Sequence, residues 1–247
     1  MAAVRVLILL EGSILLGGGP GTPTVPEEFT SPVRGLGASG FESEHAEGLL
    51  GVEVLLVPWA AFTLFGSAPQ QPGCSAAELS ELSSTLDVGL RDGLYGAADW
   101  PARFAVLDAV LGRSLLLGSG PAPRVVDAWS RLSRSAGTVP IPELARAVGW
   151  CQSQLQRRFL EQIGVTPKTA ARILRLERAM RLLSEGRPAA AVAIAGGYYD
   201  QAHLSREMKA MTGHPPRSFQ SRVTEYDFLQ DRRLPGPAEY SSEGLAG

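Results

Sequence analysis

Two stretches of the chain, offset by 48 to 49 residues, place glutamine, serine and arginine on one face of a predicted helix. The opposite face is apolar at i and i+4, with Leu155 and Phe159 in the first stretch and Leu204 and Met208 in the second. Glutamine and arginine form paired hydrogen bonds with the edges of adenine and guanine. The outward polar residues are Ser153, Gln156 and Arg157 in the first stretch, and Gln201, Ser205 and Arg206 in the second. Their chemistry favours recognition of base edges.

The segments around these helices repeat as well. Each polar helix follows a short apolar segment that ends in glycine and an aromatic residue, at residues 144–150 and 192–198. Glycine can take the left-handed backbone conformation that a tight turn needs, and a polar residue can then cap the next helix. We expect Ser153, or less well Gln152, to cap the first polar helix and Asp200 to cap the second. This order of elements predicts two helix-turn-helix units.

A long helix is predicted between the two units, over residues 167–186, where apolar residues recur at spacings of three and four. About 17 helical residues span ~25 Å. With the flanking turns, this length suits two reading helices, the second helix of each unit, near the ~34 Å between successive major-groove faces. We expect most arginines of the long helix to solvate it and to pair with Glu177 and Glu185, and phosphate contact is the alternative. These arginines are Arg172, Arg175, Arg178 and Arg181.

Charge is distributed unevenly along the chain. Residues 125–222 carry 15 Lys and Arg against 7 Asp and Glu, a net +8, although the whole chain has a formal charge of −2. Residues 1–124 carry 6 against 13, and residues 223–247 carry 2 against 5. A basic block between acidic ones is typical of a polyanion-binding domain. A solvated helical surface rich in arginine gives the same balance, so charge alone leaves both interpretations open.

Residues 123–223 resemble the AraC/XylS family of bacterial regulators. The resemblance rests on residues 197–206 (GYYDQAHLSR), Lys209 and residues 213–216 (GHPP). The matching residues of the long helix are Arg175, Leu176, Ala179, Leu182 and Leu183. The resemblance implies an all-α domain of seven helices with two helix-turn-helix units over residues 125–223. It also implies binding to double-stranded promoter DNA and, for an activator, contact with RNA polymerase.

The same resemblance places DNA contacts on both reading helices, with His203 beside a phosphate. Ala202 is too short to bond a base, although it can meet a thymine methyl. Gly196 beside Gly197 weakens the end of the preceding helix. We therefore expect less specificity from the second unit than from the first. The implied DNA-binding residues are Ser153, Gln154, Gln156, Arg157, Gln201, Ala202, His203, Ser205 and Arg206.

The first 117 residues predict a strand-rich domain with a helical pair, so the fold class of the chain is α+β. Apolar runs of strand length lie at residues 4–10, 13–16 and 51–58, and residues 4–66 are predicted as strands and turns. Residues 118–124 are predicted to be a linker, and residues 224–247 a disordered tail.

Two helices are predicted in the second part of this domain. Ser75 and Glu78 have the spacing of a capping box, which predicts that the first helix begins at Ser75. The second is expected to begin near Asp99, with Pro101 in its first turn. This helical pair is expected to pack on the sheet, and pairing with its copy in a dimer is the alternative.

Residues 51–66 resemble the sensor regions of some actinobacterial-looking members of the same family. The front domain is short for a complete sensor barrel, so we expect the chain to begin inside one. The resemblance implies a domain that senses a small-molecule effector or mediates self-association, with a homodimer as the result of the second use.

Residue types that support catalysis or metal binding are sparse. A cupin-type metal site needs two or more histidines, whereas the front half has His45 alone, near Glu42 and Glu44, and a surface loop is the favoured interpretation. Cys74 and Cys151 make no disulfide framework, and Cys151 is expected to pack against its neighbours. We expect no enzyme activity, no cofactor and no metal.

The sequence also bears on location and partners. No apolar run reaches the ~18 residues that a membrane span needs, and two unpaired cysteines suit a reducing compartment. We therefore expect a cytoplasmic protein without membrane contact. The remaining alternative is an interaction module whose tandem helices bind a protein instead of DNA. The paired Gln and Arg pattern and the +8 block argue against it.

Overall fold

The computed structural model describes residues 2–17, 25–37, 42–45, 49–69 and 76–219. Several sequence predictions fall outside these residues. They concern Ser75, Cys74, the side chains of Glu42, Glu44 and His45, and residues 224–247.

The described residues up to 117, here called the front part, contain two antiparallel sheets. The predicted strand runs are confirmed. In β1 the side chains of Val4, Val6 and Ile8 alternate inward and are buried, as expected for a strand with one face on a core. The four-stranded sheet has the order β6-β1-β4-β7, and the three-stranded sheet the order β3-β2-β5. The strands are β1 (Val4–Glu11), β2 (Ile14–Gly17), β3 (Glu27–Phe29), β4 (Pro32–Arg34), β5 (Glu42–His45), β6 (Leu50–Leu56) and β7 (Ala77–Glu78).

The prediction of strands and turns up to residue 66 is wrong after β6. Helix α1 (Pro58–Phe65) follows at once. Pro58 suits the first turn of a helix because its missing N–H would have no partner there. Gly66, with φ of 72°, ends the helix in the left-handed conformation. A short apolar run shows little periodicity, so residue spacing does not distinguish a strand from a helix over these residues.

The helix predicted from Ser75 is also wrong. Glu78 lies in β7, and its carboxylate accepts hydrogen bonds from the backbone N–H groups of Thr30 (2.6 Å) and Ser31 (2.9 Å). The main helix begins later, after Ser83, whose Oγ accepts from the Leu86 N–H at 3.3 Å. The backbone between β3 and β4 therefore binds the carboxylate that a capping box would have used. The helices are α2 (Leu79–Leu82) and α3 (Ser84–Gly96).

Helix α4 (Trp100–Leu117) is confirmed with its predicted start. The Asp99 side chain accepts from the Ala102 N–H at 2.8 Å, and Pro101 lies in the first turn. Leu107 is buried in the core that α3 and α4 form with the four-stranded sheet. The helical pair therefore packs on the sheet, as predicted.

The C-terminal part is all-α, and the α+β class is confirmed. Its helices are α5 (Pro123–Arg134), α6 (Ile141–Ala147), α7 (Gln152–Ile163), α8 (Pro167–Ser184), α9 (Ala189–Ala195) and α10 (Gln201–Thr212), and residues 216–219 are again helical. Pro123 and Arg124, predicted as the end of the linker, lie in the first turn of α5. A single core of buried side chains joins α5 to α10.

Residues of the front part pack against the C-terminal part. Ala2 belongs to the C-terminal core. The Gln162 side chain is buried and accepts from the Ala122 N–H at 2.8 Å. At Gly118 an added Cβ would lie 2.1 Å from the Thr63 carbonyl oxygen, so only glycine fits. At the start of the predicted linker, Gly118 therefore packs on α1 of the front part. Near its end, Ala122 is hydrogen-bonded to α7 of the C-terminal part.

Candidate nucleic-acid interface

The turn between α6 and α7 has the same construction as the turn between α9 and α10. Gly149 (φ 69°) and Gly197 (φ 72°) both take the left-handed conformation that the repeat predicted. The next residue of each turn donates its backbone N–H back into the preceding helix, Trp150 to Ala145 and Tyr198 to Ala193, both at 2.9 Å. The two units therefore share one backbone geometry.

An aromatic ring lies under each turn with an arginine over its face. The Arg124 guanidinium carbon is 5.8 Å from the Trp150 ring centroid, and that of Arg175 is 5.6 Å from the Tyr198 ring centroid. Such a cation–π pair adds to the apolar packing of the ring. Burial raises the pKa of Tyr198 to about 12, and the nearby Glu207 carboxylate contributes in the same direction. Tyr198 belongs to the core and Trp150 packs against it, so each ring holds its turn in place.

The inner faces of both reading helices are confirmed. Leu155 and Phe159 on α7, and Leu204 and Met208 on α10, are fully buried. The remaining faces carry the predicted DNA-binding residues, which stay predictions. Ser153, Gln156 and Arg157 are exposed on α7, as are Gln201, Ala202 and Arg206 on α10, whereas Gln154, His203 and Ser205 are half-buried.

The caps of the two reading helices differ. Asp200 is confirmed as the cap of α10, because its carboxylate accepts from the His203 N–H at 2.6 Å. The prediction of Ser153 or Gln152 as the cap of α7 is wrong, since both lie within the helix and Cys151 occupies the cap position without a side-chain cap bond. Cys151 was expected to pack, yet it is exposed, and its Sγ lies 3.2 Å from the Ser153 Oγ. This hydrogen bond lowers the pKa of the Cys151 thiol.

The second turn is one residue longer than the first. Two residues separate Gly149 from the first of α7, Gln152, whereas three separate Gly197 from the first of α10, Gln201. The added residue is Tyr199, which is 93% exposed. Its backbone N–H donates to the Nδ1 of His203 at 3.4 Å.

Glu207 on α10 joins the reading helix to α8. Its Oε1 lies 3.5 Å from the Nε of Arg172 and 3.6 Å from the Nη2 of Arg175, and its Oε2 lies 3.4 Å from the Nε2 of His203. The Glu207 side chain is 8% exposed. The sequence predicted that these arginines pair with Glu177 and Glu185 and did not predict Glu207. The contact joins two helices that lie about 30 residues apart in the chain, so residue spacing does not indicate it. The sequence signal for this contact is the position of the Glu207 carboxylate on α10, next to the apolar residues Leu204 and Met208.

Arg157 and Arg206 are oriented differently from their arginine neighbours. Each has a carboxylate nearby in the sequence with which it could pair, Glu161 for Arg157 and Glu207 for Arg206. Glu161 instead pairs with Arg158 at 2.9 Å, and Glu207 pairs with the residues described above. Within the described part of the chain, neither Arg157 nor Arg206 forms an ion pair or a side-chain hydrogen bond, and both are exposed. Both guanidinium groups are thus available to a ligand.

Other site types have little support in the described ranges. Over residues 2–17, 25–37, 42–45, 49–69 and 76–219, no three His, Cys, Asp or Glu side chains are grouped where they could hold a metal ion. The helices in these ranges include none with the length and hydropathy of a membrane span.

Comparison with known proteins gives one domain match and several structural neighbours. Residues 144–222 match the model of a helix-turn-helix domain. Over 69 residues the chain is 32% identical to YbfI of Bacillus subtilis, described as an uncharacterised HTH-type transcriptional regulator. That alignment covers 28% of this chain and only 25% of YbfI.

Solved structures that are similar to this chain fall into two groups by coverage. The AraC-type DNA-binding domain protein of Chromobacterium violaceum is 24% identical with a TM-score of 0.39, covering 42% of this chain and 94% of its own. ToxT of Vibrio cholerae is 12% identical with a TM-score of 0.51, over 91% of both chains. A second ToxT structure, bound to (E)-4-(8-methylnaphthalen-1-yl)but-3-enoic acid, is 12% identical with a TM-score of 0.50, covering 90% of this chain and 91% of its own. The ToxT likeness extends to the front part and concerns the fold alone.

Proposed function

We propose that this chain, whose residues 144–222 match a helix-turn-helix domain, is an AraC-type transcription regulator that reads a specific promoter sequence through α7 and α10 together. The observation that carries the proposal is the matched pair Arg157 and Arg206. Each is exposed and two residues beyond the buried leucine of its helix, while the neighbouring Arg158, Arg172 and Arg175 are held in ion pairs. Guanidinium groups free to meet guanine edges are what base reading needs.

The two units support simultaneous reading because they share one core. Helix α8 has 18 residues and thus a length of about 27 Å. With the turns at its ends, it suits the spacing of two successive major-groove segments, about 34 Å. The +8 balance of residues 125–222 supplies the attraction to phosphate that both specific and non-specific binding need.

Selection of bound duplexes from random DNA, followed by footprinting at several salt concentrations, tests this proposal. We expect one enriched sequence, protection of two segments about one helical turn apart, and affinity that falls steeply with salt. Binding without sequence preference and without salt dependence would contradict it and would favour a protein-interaction module. Protection of a single segment would contradict joint reading by both units.

We further propose that the regulator responds to a small carboxylic acid with an apolar body. A cleft of about 520 Å³ lies between the front part and α5 and α8. Its apolar walls include Val57, Trp129 and Leu174, and Arg178 and Arg181 supply positive charge. The other lining residues are Ala2, Ser133, Ala136 and Glu177. The second ToxT structure, which has a similar fold, binds an apolar carboxylic acid.

Helix α8 connects the cleft to the reading helices. Arg178 and Arg181 belong to α8, and the same helix holds α10 through the ion pairs of Arg172 and Arg175 with Glu207. A ligand that contacts both Val57 and α8 would bias the position of α8 relative to the front part. Because α8 also connects the two units, this bias would alter the separation of the two reading helices. The DNA affinity would then depend on the ligand.

Thermal unfolding of the full chain with a series of apolar carboxylic acids tests the effector. We expect stabilisation that grows with ligand concentration, and its loss in the double variant Arg178→Gln/Arg181→Gln. Arg146→Gln, an exposed arginine on α6 outside the cleft, is the matched control and should keep the stabilisation. Equal stabilisation of all three proteins, or of none, would contradict this use of the cleft while leaving the DNA-binding proposal untouched.

The location follows from the same proposal. A promoter-binding regulator works in the cytoplasm of a bacterium, where its contacts are double-stranded DNA and, for an activator, RNA polymerase. No cofactor and no catalytic step is part of this proposal.

A further inference from the structure

The turn of the second unit presents one residue that the turn of the first unit lacks. This residue, Tyr199, lies directly before the cap Asp200, whereas in the first unit the cap Cys151 follows the turn aromatic at once. Tyr199 is 93% exposed, more than any other large hydrophobic residue of the described ranges. Its ring therefore adds almost nothing to the core, and packing within the described chain gives no reason for an aromatic residue at this place.

Two hydrogen bonds fix the backbone of Tyr199 before any ligand binds. Its N–H donates to the Nδ1 of His203 at 3.4 Å, and the Asp200 carboxylate accepts from the His203 N–H at 2.6 Å. The bonds run in opposite directions between the connecting turn and the start of α10, as in a capping box. A residue whose backbone is already ordered loses less conformational entropy when its side chain binds a partner.

Both ring nitrogens of His203 have partners within the chain. Because Nδ1 accepts from Tyr199, the proton of the neutral ring is on Nε2, which lies 3.4 Å from the Oε2 of Glu207. The His203 ring also meets the Tyr198 ring edge-on, with their centroids 5.4 Å apart. Glu207 is in turn joined to α8 by the ion pairs described above. His203 is therefore engaged in holding the turn on α10, and its nitrogens are already occupied when DNA arrives.

Tyr199 lies next to the end of α10 that would enter DNA. A reading helix places its N-terminal residues against base edges in the major groove. On α10 these residues are Gln201 and Ala202, both exposed. Tyr199 precedes Gln201 by two positions and lies outside the helix. With α10 in a groove about 12 Å wide, a residue at this place is beside the rim of the groove, where the phosphates lie.

We propose that Tyr199 is a phosphate contact of the second unit and that His203 is the residue that positions it. The phenol O–H donates to a phosphate oxygen, and tyrosine is among the side chains that form such bonds to DNA. The inference rests on the proposed DNA-binding function, and it gives His203 a different role from the phosphate contact that the family resemblance implied. A phosphate contact carries no sequence information. It therefore strengthens the binding of α10, to which Ala202 contributes little, without adding specificity.

Removal of the Tyr199 hydroxyl in the full chain tests the contact, on the duplex that the wild type selects from random DNA. Tyr199→Phe should raise the Kd by about tenfold, the effect of losing one hydrogen bond to a charged group. The selected sequence should stay the same, and so should the salt slope, since a neutral phenol displaces no counterion. Tyr95→Phe is the matched control, because its hydroxyl bonds to the Leu10 carbonyl oxygen in the front part and its removal should leave the Kd unchanged.

Two substitutions of His203 test its positioning role. The side-chain oxygen of Asn can take the place of Nδ1 and accept from the Tyr199 N–H, whereas Leu offers no acceptor. His203→Leu should raise the Kd by a factor similar to that of Tyr199→Phe, and His203→Asn should keep most of the wild-type affinity. In the Tyr199→Phe background, His203→Leu should cost little more, because a positioning residue has no effect once the group that it positions is gone. The NMR amide signal of Tyr199 should shift in His203→Leu and stay near its wild-type position in His203→Asn.

The phosphate contact is overturned if Tyr199→Phe leaves the Kd unchanged or changes the sequence preference. Additive effects of Tyr199→Phe and His203→Leu, or equal losses in His203→Leu and His203→Asn, would overturn the positioning role. Circular dichroism identifies a variant that does not fold. If His203→Leu is such a variant, His203→Gln takes its place, because its longer side chain still reaches Glu207 but moves the acceptor away from the Tyr199 N–H. A wild type that selects no sequence would contradict the proposed function itself, whereas the outcomes above leave that function intact.

Discussion

The Oε1 of Glu207 lies 3.5 Å from the Nε of Arg172, so the second reading helix is joined to the long helix by an ion pair beside the DNA-binding face. Arg206, the preceding residue on α10, is exposed and without such a partner among the described residues. Adjacent positions on one helix therefore serve opposite purposes. Glu207 turns inward and fixes the helix, and Arg206 turns outward towards a ligand.

Glu207→Gln should lower the free energy of unfolding by about 1–3 kcal/mol, because Arg172 and Arg175 lose their carboxylate. The loss should stay below the ~3–5 kcal/mol of a fully buried pair, since both arginines still reach solvent. Urea unfolding measures it. Glu161→Gln is the control, because the exposed Glu161–Arg158 pair should contribute less than about 1 kcal/mol. Equal effects of the two changes would contradict the role of Glu207.

Arg157→Ala and Arg206→Ala should each cost about 1–3 kcal/mol of DNA-binding free energy and relax the preference at one base pair. The two affected positions should lie about one helical turn, ~10 base pairs, apart. Because Ala202 leaves α10 with fewer base-reading groups, we expect the Arg157 change to reduce specificity more. A binding selection at fixed salt measures both.

Arg158→Ala is the matched control for Arg157→Ala, since Arg158 is paired with Glu161 on the same helix. It should leave the base preference as it is. If Arg157→Ala and Arg206→Ala weaken binding to all sequences alike and lower the salt slope by about one unit, they contact phosphate. That result would end the base-reading assignment without ending DNA binding.

Gly137→Ala should destabilise the protein much more than Gly186→Ala. Both glycines have positive φ, 76° and 77°, so both alanine variants suffer the ~1–2 kcal/mol cost of the left-handed conformation. At Gly137 the new Cβ would also lie 2.2 Å from the Ala171 carbonyl oxygen, whereas at Gly186 it meets nothing within 4 Å. We expect about 3–5 kcal/mol for Gly137→Ala. Similar thermal melting of both variants would refute the close packing of the turn after α5 on α8.

Tyr198→Phe should flatten the loss of stability at alkaline pH. The pKa of Tyr198 is raised from 10 in the unfolded chain to about 12 in the fold, so the unfolded state loses its phenol proton first. The free energy of unfolding is therefore independent of Tyr198 ionisation below pH 10 and falls as the pH rises from 10 towards 12, because the fold disfavours the phenolate. Urea midpoints over this range measure it.

Tyr199→Phe is the control for that experiment, because Tyr199 is almost fully exposed and should behave like the wild type. Below pH 10 the Tyr198→Phe change should be neutral or stabilising. The hydroxyl of Tyr198 is buried without a hydrogen-bond partner among the described residues, so its removal restores apolar packing. A clear destabilisation at neutral pH would argue for a partner of this hydroxyl.

The sequence by itself determined the parts of this protein that depend on neighbours along the chain. The i and i+4 apolar pairs of α7 and α10, the turn glycines Gly149 and Gly197, and the caps Asp99 and Asp200 all act within one turn of helix, so their spacing is sufficient to predict them. The repeat made this information stronger, because two independent stretches had to agree.

Only the tertiary structure decided the features that depend on distant partners. Glu78 does not form the predicted capping box, because its carboxylate accepts hydrogen bonds from the backbone of Thr30 and Ser31. Glu207 pairs with Arg172 and Arg175, which lie on another helix. In each case the energy comes from groups that folding brings together from remote positions. The spacing of residues along the chain does not predict contacts between residues that are distant in the sequence.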